Sequence, residues 1–243
     1  MKERQKKYEL TDEFIVHCSG KKLYRIRALV TFGAVVAGQL GGFVETEKNL
    51  DQSLCGDAWV YGNAQVCGDA QVCGDARVYG NAWVCGNAWV YGNAQVCGDA
   101  RVYGNAQVCG DARVYGDALV CGDALVCGDA RVYGNAQVCG NAKVYGNAWV
   151  YGNAKVYGNA KVRSYAVISE RKMIFWASNV GSENGTLTVF NGKDGLIVTR
   201  GCFTGTVDEF LAKSAEVHDD KTKNEYKLLI EVAKSRILGV KDE

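Results

Sequence analysis

A period of six residues, running without interruption from Leu54 to Lys161, constrains this chain more than any other feature. Each unit reads V-[C/Y]-G-[D/N]-A-x. Position one is Leu54 and then Val at every sixth residue to Val156, and position five is Ala from Ala58 to Ala160. A further unit, Val162 to Val167, keeps Val162 and Ala166 but has Ser164-Tyr165 where the others have Gly followed by Asp or Asn. In an extended A-x-V-[C/Y] segment, alternate side chains share a side. Ala and Val therefore face one way, and x with Cys or Tyr the other, while Gly-Asp or Gly-Asn tolerates the positive φ of a corner. An edge buried always on the same side and turned at a fixed interval must coil. Three edges close a triangle, so the eighteen units make about six coils of 18 residues. With parallel strands ~4.8 Å apart, the stack is about 29 Å tall.

The architecture expected is mainly β, a parallel β-helix over residues 51–167. Residues 1–50 read as an N-terminal β cap, with strands at Phe14–Cys18 and Leu23–Val30 and a glycine-rich stretch ending at Phe43-Val44. Residues 168–243 read as a small α+β domain. There a hairpin joins Thr186–Phe190 to Leu196–Thr199, followed by a helix that starts at the capping-box spacing of Thr206 and Glu209 and a second helix over Lys223–Leu238. Tyr226, Leu229, Ile230, Ala233 and Ile237 share one face of that second helix. Both ends of an open ladder need covering, which is the role expected of the flanks.

The motif resembles the hexapeptide repeat of left-handed β-helix proteins, a family that includes many trimeric acyltransferases and the γ-class carbonic anhydrases. The resemblance implies a left-handed coil and a homo-oligomer, a trimer by the pattern of that family. The flanks are similar to something narrower. Lys7–Glu13, Leu23–Ala28, Gly38–Glu45, Gly181–Val189, Thr199–Thr206 and Asp208–Phe210 resemble uncharacterised β-helix proteins of phages and prophages. That resemblance implies action in the cytoplasm of a host cell and supplies no catalytic residues.

Relatives that are enzymes use histidine, as a general base or as a metal ligand. This chain has only His17 and His218, both outside the repeat, and no loop interrupts the coils. Ordinary structural roles are expected for both. Eleven cysteines, nine of them in the repeat, stand at multiples of six. Stacking brings together the pairs Cys55/Cys73, Cys67/Cys85, Cys109/Cys127 and Cys121/Cys139, close enough for disulfides. Two thiolates do not make a tetrahedral zinc site, and the stacked carboxylates Asp57/Asp75 and Asp111/Asp129 are poor calcium sites. No metal and no cofactor is expected. The basic stretch Met1–Tyr8 is followed by no apolar run, so reduced thiols and no membrane contact are expected.

Residues 18 apart form columns on three outer faces. Face one carries three of the four repeat arginines and most paired aromatics, so Arg77, Tyr79, Arg113, Tyr115, Arg131 and Tyr133 are the candidate ligand-binding residues. Guanidinium and phenol groups together suit phosphates and bases. Each of these arginines follows an Asp by two residues, and the pair is expected to neutralise itself, favouring a solvated or subunit-packing face. The formal charge of +1 gives no global field for bulk nucleic acid. The function expected is a non-catalytic phage-type scaffold that binds a host component, either a nucleotide signal or a defence protein. The alternatives are an acyltransferase relative and a purely structural oligomer.

Overall fold

The computed structural model describes residues 5–239; residues 1–4, which begin the basic stretch Met1–Tyr8, and residues 240–243 lie outside them. Strands of two residues each, x and Val of every unit, stack in parallel 18 residues apart. Face one has seven rungs, from Trp59–Val60 to Val167–Ile168, and faces two and three continue from Gln65–Val66 and Gln71–Val72. The chain is thus a parallel β-solenoid. Val60 to Val162 and Ala58 to Ala166 are fully buried at every repeat, as the alternation requires. Each valine so enclosed contributes about 1.5–3 kcal/mol through burial alone. The corner glycines from Gly62 to Gly158 all have positive φ.

Two positions depart from the expected pattern. Leu54 is 50% exposed, outside the interior, and Gly56 lacks the positive φ of its counterparts. Leu50 takes the interior position instead, bridging to Val72, so the chain loops outward between them. Trp59 occupies an outward position yet is fully buried, because Tyr8 and Phe32 of the N-terminal cap close over it with ring centroids 6.0 and 5.4 Å away.

The ladder has a polarity that dictates what each cap must supply. The N–H groups of one coil donate to the C=O groups of the next, as in Arg77 N to Ala94 O (2.9 Å) and Tyr79 N to Val96 O (3.0 Å). The first coil is therefore left with free acceptors and the last with free donors. Strands β1 (Tyr8–Val16), β2 (Lys22–Ala28) and β3 (Leu40–Val44) extend the sheet of face two, with β3 parallel to Gln65–Val66. Phe43 N and Glu45 N donate to Ala64 O and Val66 O. The Asn49 amide donates to Gly68 O and Ala70 O, both at 2.9 Å. The buried Lys7 ammonium donates to Gly56 O (2.7 Å) and Ala58 O (3.0 Å).

At the other end stand β4 (Ile174–Val180), β5 (Gly185–Gly192), β6 (Gly195–Arg200) and β7 (Phe203–Thr206), an antiparallel sheet followed by α1 (Val207–Val217) and α2 (Asp220–Leu238). Of these strands only β5 and β6 were expected, and α2 begins three residues earlier than its apolar face suggests because Asp219 caps it. Alternation along β5 joins two cores. Leu187 and Val189 pack with Phe210, Tyr226 and Ile230 beneath the helices, whereas Phe190 belongs to the solenoid core. Thr188 accepts from Lys161 N at 3.1 Å, filling one of the free donors of the last coil. The domain is both a cap and a unit with its own core.

Candidate functional site

Face one positions the candidate residues by register: Arg77, Gln95, Arg113, Arg131, Trp149 and Val167 succeed one another along a single column. The neighbouring column places Tyr115, Tyr133 and Tyr151 in a stack, with centroids 4.8 and 5.0 Å apart and planes within 1° and 6° of parallel. Arg113, Tyr115, Arg131 and Tyr133 are brought together in this way. Arg77 and Tyr79 share the face but are separated from them by the Gln95/Cys97 rung. Burial and the neighbouring tyrosines push the Tyr133 hydroxyl above its usual range.

The expected neutralisation of each arginine by its preceding Asp does not occur. Among the described residues no carboxylate lies within 4.0 Å of Arg77, Arg101, Arg113 or Arg131, and none of the four makes a side-chain hydrogen bond. Corner aspartates turn along the column instead. Asp99 and Asp111 accept from the amides of Asn81 (3.0 Å) and Asn93 (2.9 Å), and Asp75 accepts from Asp57 N (2.9 Å). Two arginines lie over indole rings, Arg101 on Trp83 at 5.2 Å and Arg131 on Trp149 at 5.1 Å. The face thus presents guanidinium groups whose N–H forks are open to a ligand.

At its C-terminal end the face deepens into a cleft of about 570 Å³. Arg131, Asn147, Trp149, Tyr165 and Lys193 line it, with Ala166 and Val167. Sequence reasoning placed Trp149 on this face but did not single it out, and it missed Tyr165 and Lys193. The signal for Tyr165 was present: it is the one aromatic at a corner position, where the Gly-Asp/Asn pair is lost. Ser164 there takes the positive φ (62°) that glycine takes elsewhere. Lys193 N donates to Tyr165 O at 3.0 Å, and Ala166 bridges to Gly192, so the β5–β6 turn is fastened to the last corner.

The histidines stand apart from this face and from each other. His17 lies in the N-terminal cap, edge-on to Trp83 at 5.1 Å and bonded to Ser19 Oγ at 2.8 Å. His218 caps α1, bonds to the buried Ser214 Oγ at 3.2 Å and packs on Tyr226. Three of the four expected cysteine pairs meet, whereas Cys55 is exposed in the unit that loops outward. Cys121 and Cys139 are joined in a disulfide across adjacent coils, Cα atoms 4.6 Å apart, where reduced thiols had been expected. Coils ~4.8 Å apart hold column neighbours within the reach of an S–S bond. In the Cys67/Cys85 pair the Cys67 thiol donates to Cys85, which raises the one and lowers the other. Cys127, buried beside Cys109, is pushed up to about 11. Among the described residues no three His, Cys, Asp or Glu side chains gather as a metal site, and no helix is long and apolar enough to cross a membrane.

The model of the YdcK β-solenoid repeat matches residues 70–86, 94–110, 106–122, 124–140 and 136–152. No curated protein matches the chain. The stacked ladder and this repeat match agree, and the chain is a β-helix protein whose central coils are similar to the YdcK β-solenoid repeat.

Proposed function

We propose that the chain is a non-catalytic scaffold that binds an anionic ligand bearing an aromatic ring, a nucleotide, along face one. One observation carries this reading: three guanidinium groups without carboxylate partners, Arg77, Arg113 and Arg131, lie on the face that also carries the stacked tyrosines. Planar donors match phosphate oxygens in pairs, and phenol and indole rings stack on bases. The phage-like flanks suggest the setting, sequestration of a host nucleotide signal in the host cytoplasm. Titration of the purified protein with mono-, di- and cyclic nucleotides tests the reading. Binding should weaken as salt is raised, and the double variant Arg113→Ala/Arg131→Ala should lose about tenfold or more in affinity. Absence of binding by every nucleotide would remove the proposal.

Self-association is a second proposal, favoured by Trp89 on face three, which is 47% exposed and stands beside Tyr91. A trimer would follow the resemblance to hexapeptide-repeat proteins. Sedimentation equilibrium of the wild type against Trp89→Arg checks it, a monomer in both cases counting against it.

A further inference from the structure

We infer that the cleft at the C-terminal end of face one is a mononucleotide site, with the base held by Trp149 and Tyr165 and the phosphate between Arg131 and Lys193. This rests on the reading of face one as a nucleotide-binding surface and narrows it to one end.

Four observations converge there. The lining holds two cations and no carboxylate. Both aromatic rings are open to solvent, Trp149 at 42% and Tyr165 at 61%, so a ligand can reach them. The guanidinium of Arg131 lies over the Trp149 ring, which leaves its edge donors free to pair with oxygens. Lys193 is not on a drifting loop, because its own N–H and the Ala166–Gly192 bridge hold the turn to the coil. The volume of about 570 Å³ falls in the range of small-ligand clefts.

The same arginine and tyrosine chemistry recurs at Arg77 and Tyr79, but nothing there builds a wall, and the cap covers the adjacent Trp59. The difference comes from the broken repeat. Where every other corner ends in a short Asp or Asn, Tyr165 projects, and the β5–β6 turn rises beside it. The Asn147 amide, also in the lining, offers both a donor and an acceptor to a base edge.

Calorimetric titration with adenosine 5′-monophosphate, adenosine and inorganic phosphate tests the assignment on the full chain. One mononucleotide should bind per chain, with adenosine and phosphate each weaker by about tenfold or more, since each makes only half of the contacts. Lys193→Ala and Tyr165→Ala, both at exposed positions, should weaken binding similarly, Lys193→Arg should retain it, and Lys143→Ala, exposed on face three, should leave it unchanged. Binding that Arg77→Ala and Arg113→Ala weaken but Lys193→Ala does not would overturn the cleft while leaving the face in place. No binding of the mononucleotide, with other nucleotides still bound, would overturn the ligand class, and no binding of any nucleotide would overturn both.

Discussion

Tyr115 and Tyr133 lie parallel, their ring centroids 4.8 Å apart, which is the spacing of the coils that carry them. The backbone thus imposes a stacking distance that free rings would not choose face to face, and Tyr151 continues the stack.

Removing the middle ring should reveal what the stack contributes. Tyr133→Ala breaks two ring pairs and should lower unfolding stability by about 1–3 kcal/mol. A double-mutant cycle with Tyr115→Ala should give a coupling energy of about 0.5–1.5 kcal/mol, read from urea midpoints at unchanged circular dichroism.

Alkaline pH should loosen the N-terminal cap through Tyr8. Its hydroxyl donates to Leu50 O (2.8 Å) and Glu47 O (3.0 Å), and burial raises it far above its usual value of 10.0. The unfolded chain then releases this proton first. The stabilisation is complete below pH 10 and is lost as pH rises beyond it. Tyr61, Tyr79, Tyr91 and Tyr133 are shifted the same way and add to the slope. Tyr8→Phe should reduce the fall in urea midpoint between pH 9 and pH 11, about one unit on either side of the ordinary tyrosine value. An unchanged slope would show that Tyr8 does not contribute.

Two glycines with similar dihedrals separate backbone strain from crowding. Gly104 has φ 75°, and a Cβ there would meet Gly122 N and O at 3.0 Å, whereas Gly20, φ 81°, has nothing within 4 Å. Gly20→Ala should cost about 1–2 kcal/mol from the left-handed conformation alone. Gly104→Ala should cost clearly more, because adjacent coils cannot separate without breaking the ladder. Equal losses in a thermal melt would contradict the crowding.

The cysteine columns should differ in reactivity. Cys85 is lowered by the hydrogen bond from Cys67, while Cys127 is pushed up to about 11 by burial and by Cys109. Near pH 8 an alkylating reagent should label Cys85 about tenfold faster or more, since the thiolate is the nucleophile. Peptide mapping without reductant should recover Cys121 linked to Cys139, and Cys121→Ser should lower stability only under non-reducing conditions.

The solenoid was legible because its cause is local: Val and Ala repeat at the period of the coil, and every one from Ala58 onward is enclosed. Leu54 shares the period but not the environment, since whether the first unit joins the stack depends on Leu50 arriving beside Val72. Periodicity put Asp and Arg on one side of the strand, yet it does not set rotamers. Asp99 and Asp111 found Asn amides of neighbouring coils and Asp75 a backbone N–H, and among the described residues none of the four repeat arginines has a carboxylate partner. The stacked tyrosines followed from columns alone. The cleft did not, because Lys193 reaches Tyr165 from a hairpin whose docking depends on Thr188, Phe190 and the free donors of the last coil.

Because both caps are fastened to the ladder, the number of units between them acts as a ruler and a protractor at once. Gain or loss of three units would move the cleft along the axis by ~4.8 Å and leave its bearing unchanged. Gain or loss of a single unit ahead of Arg131 would swing the cleft and the C-terminal domain together by a third of a turn relative to the N-terminal cap, whereas a unit gained between Trp149 and Tyr165 would carry Lys193 and Tyr165 away from Arg131 to face a different column. Length variants of this chain that keep the bearing of the cleft relative to the N-terminal cap are therefore confined to steps of 18 residues.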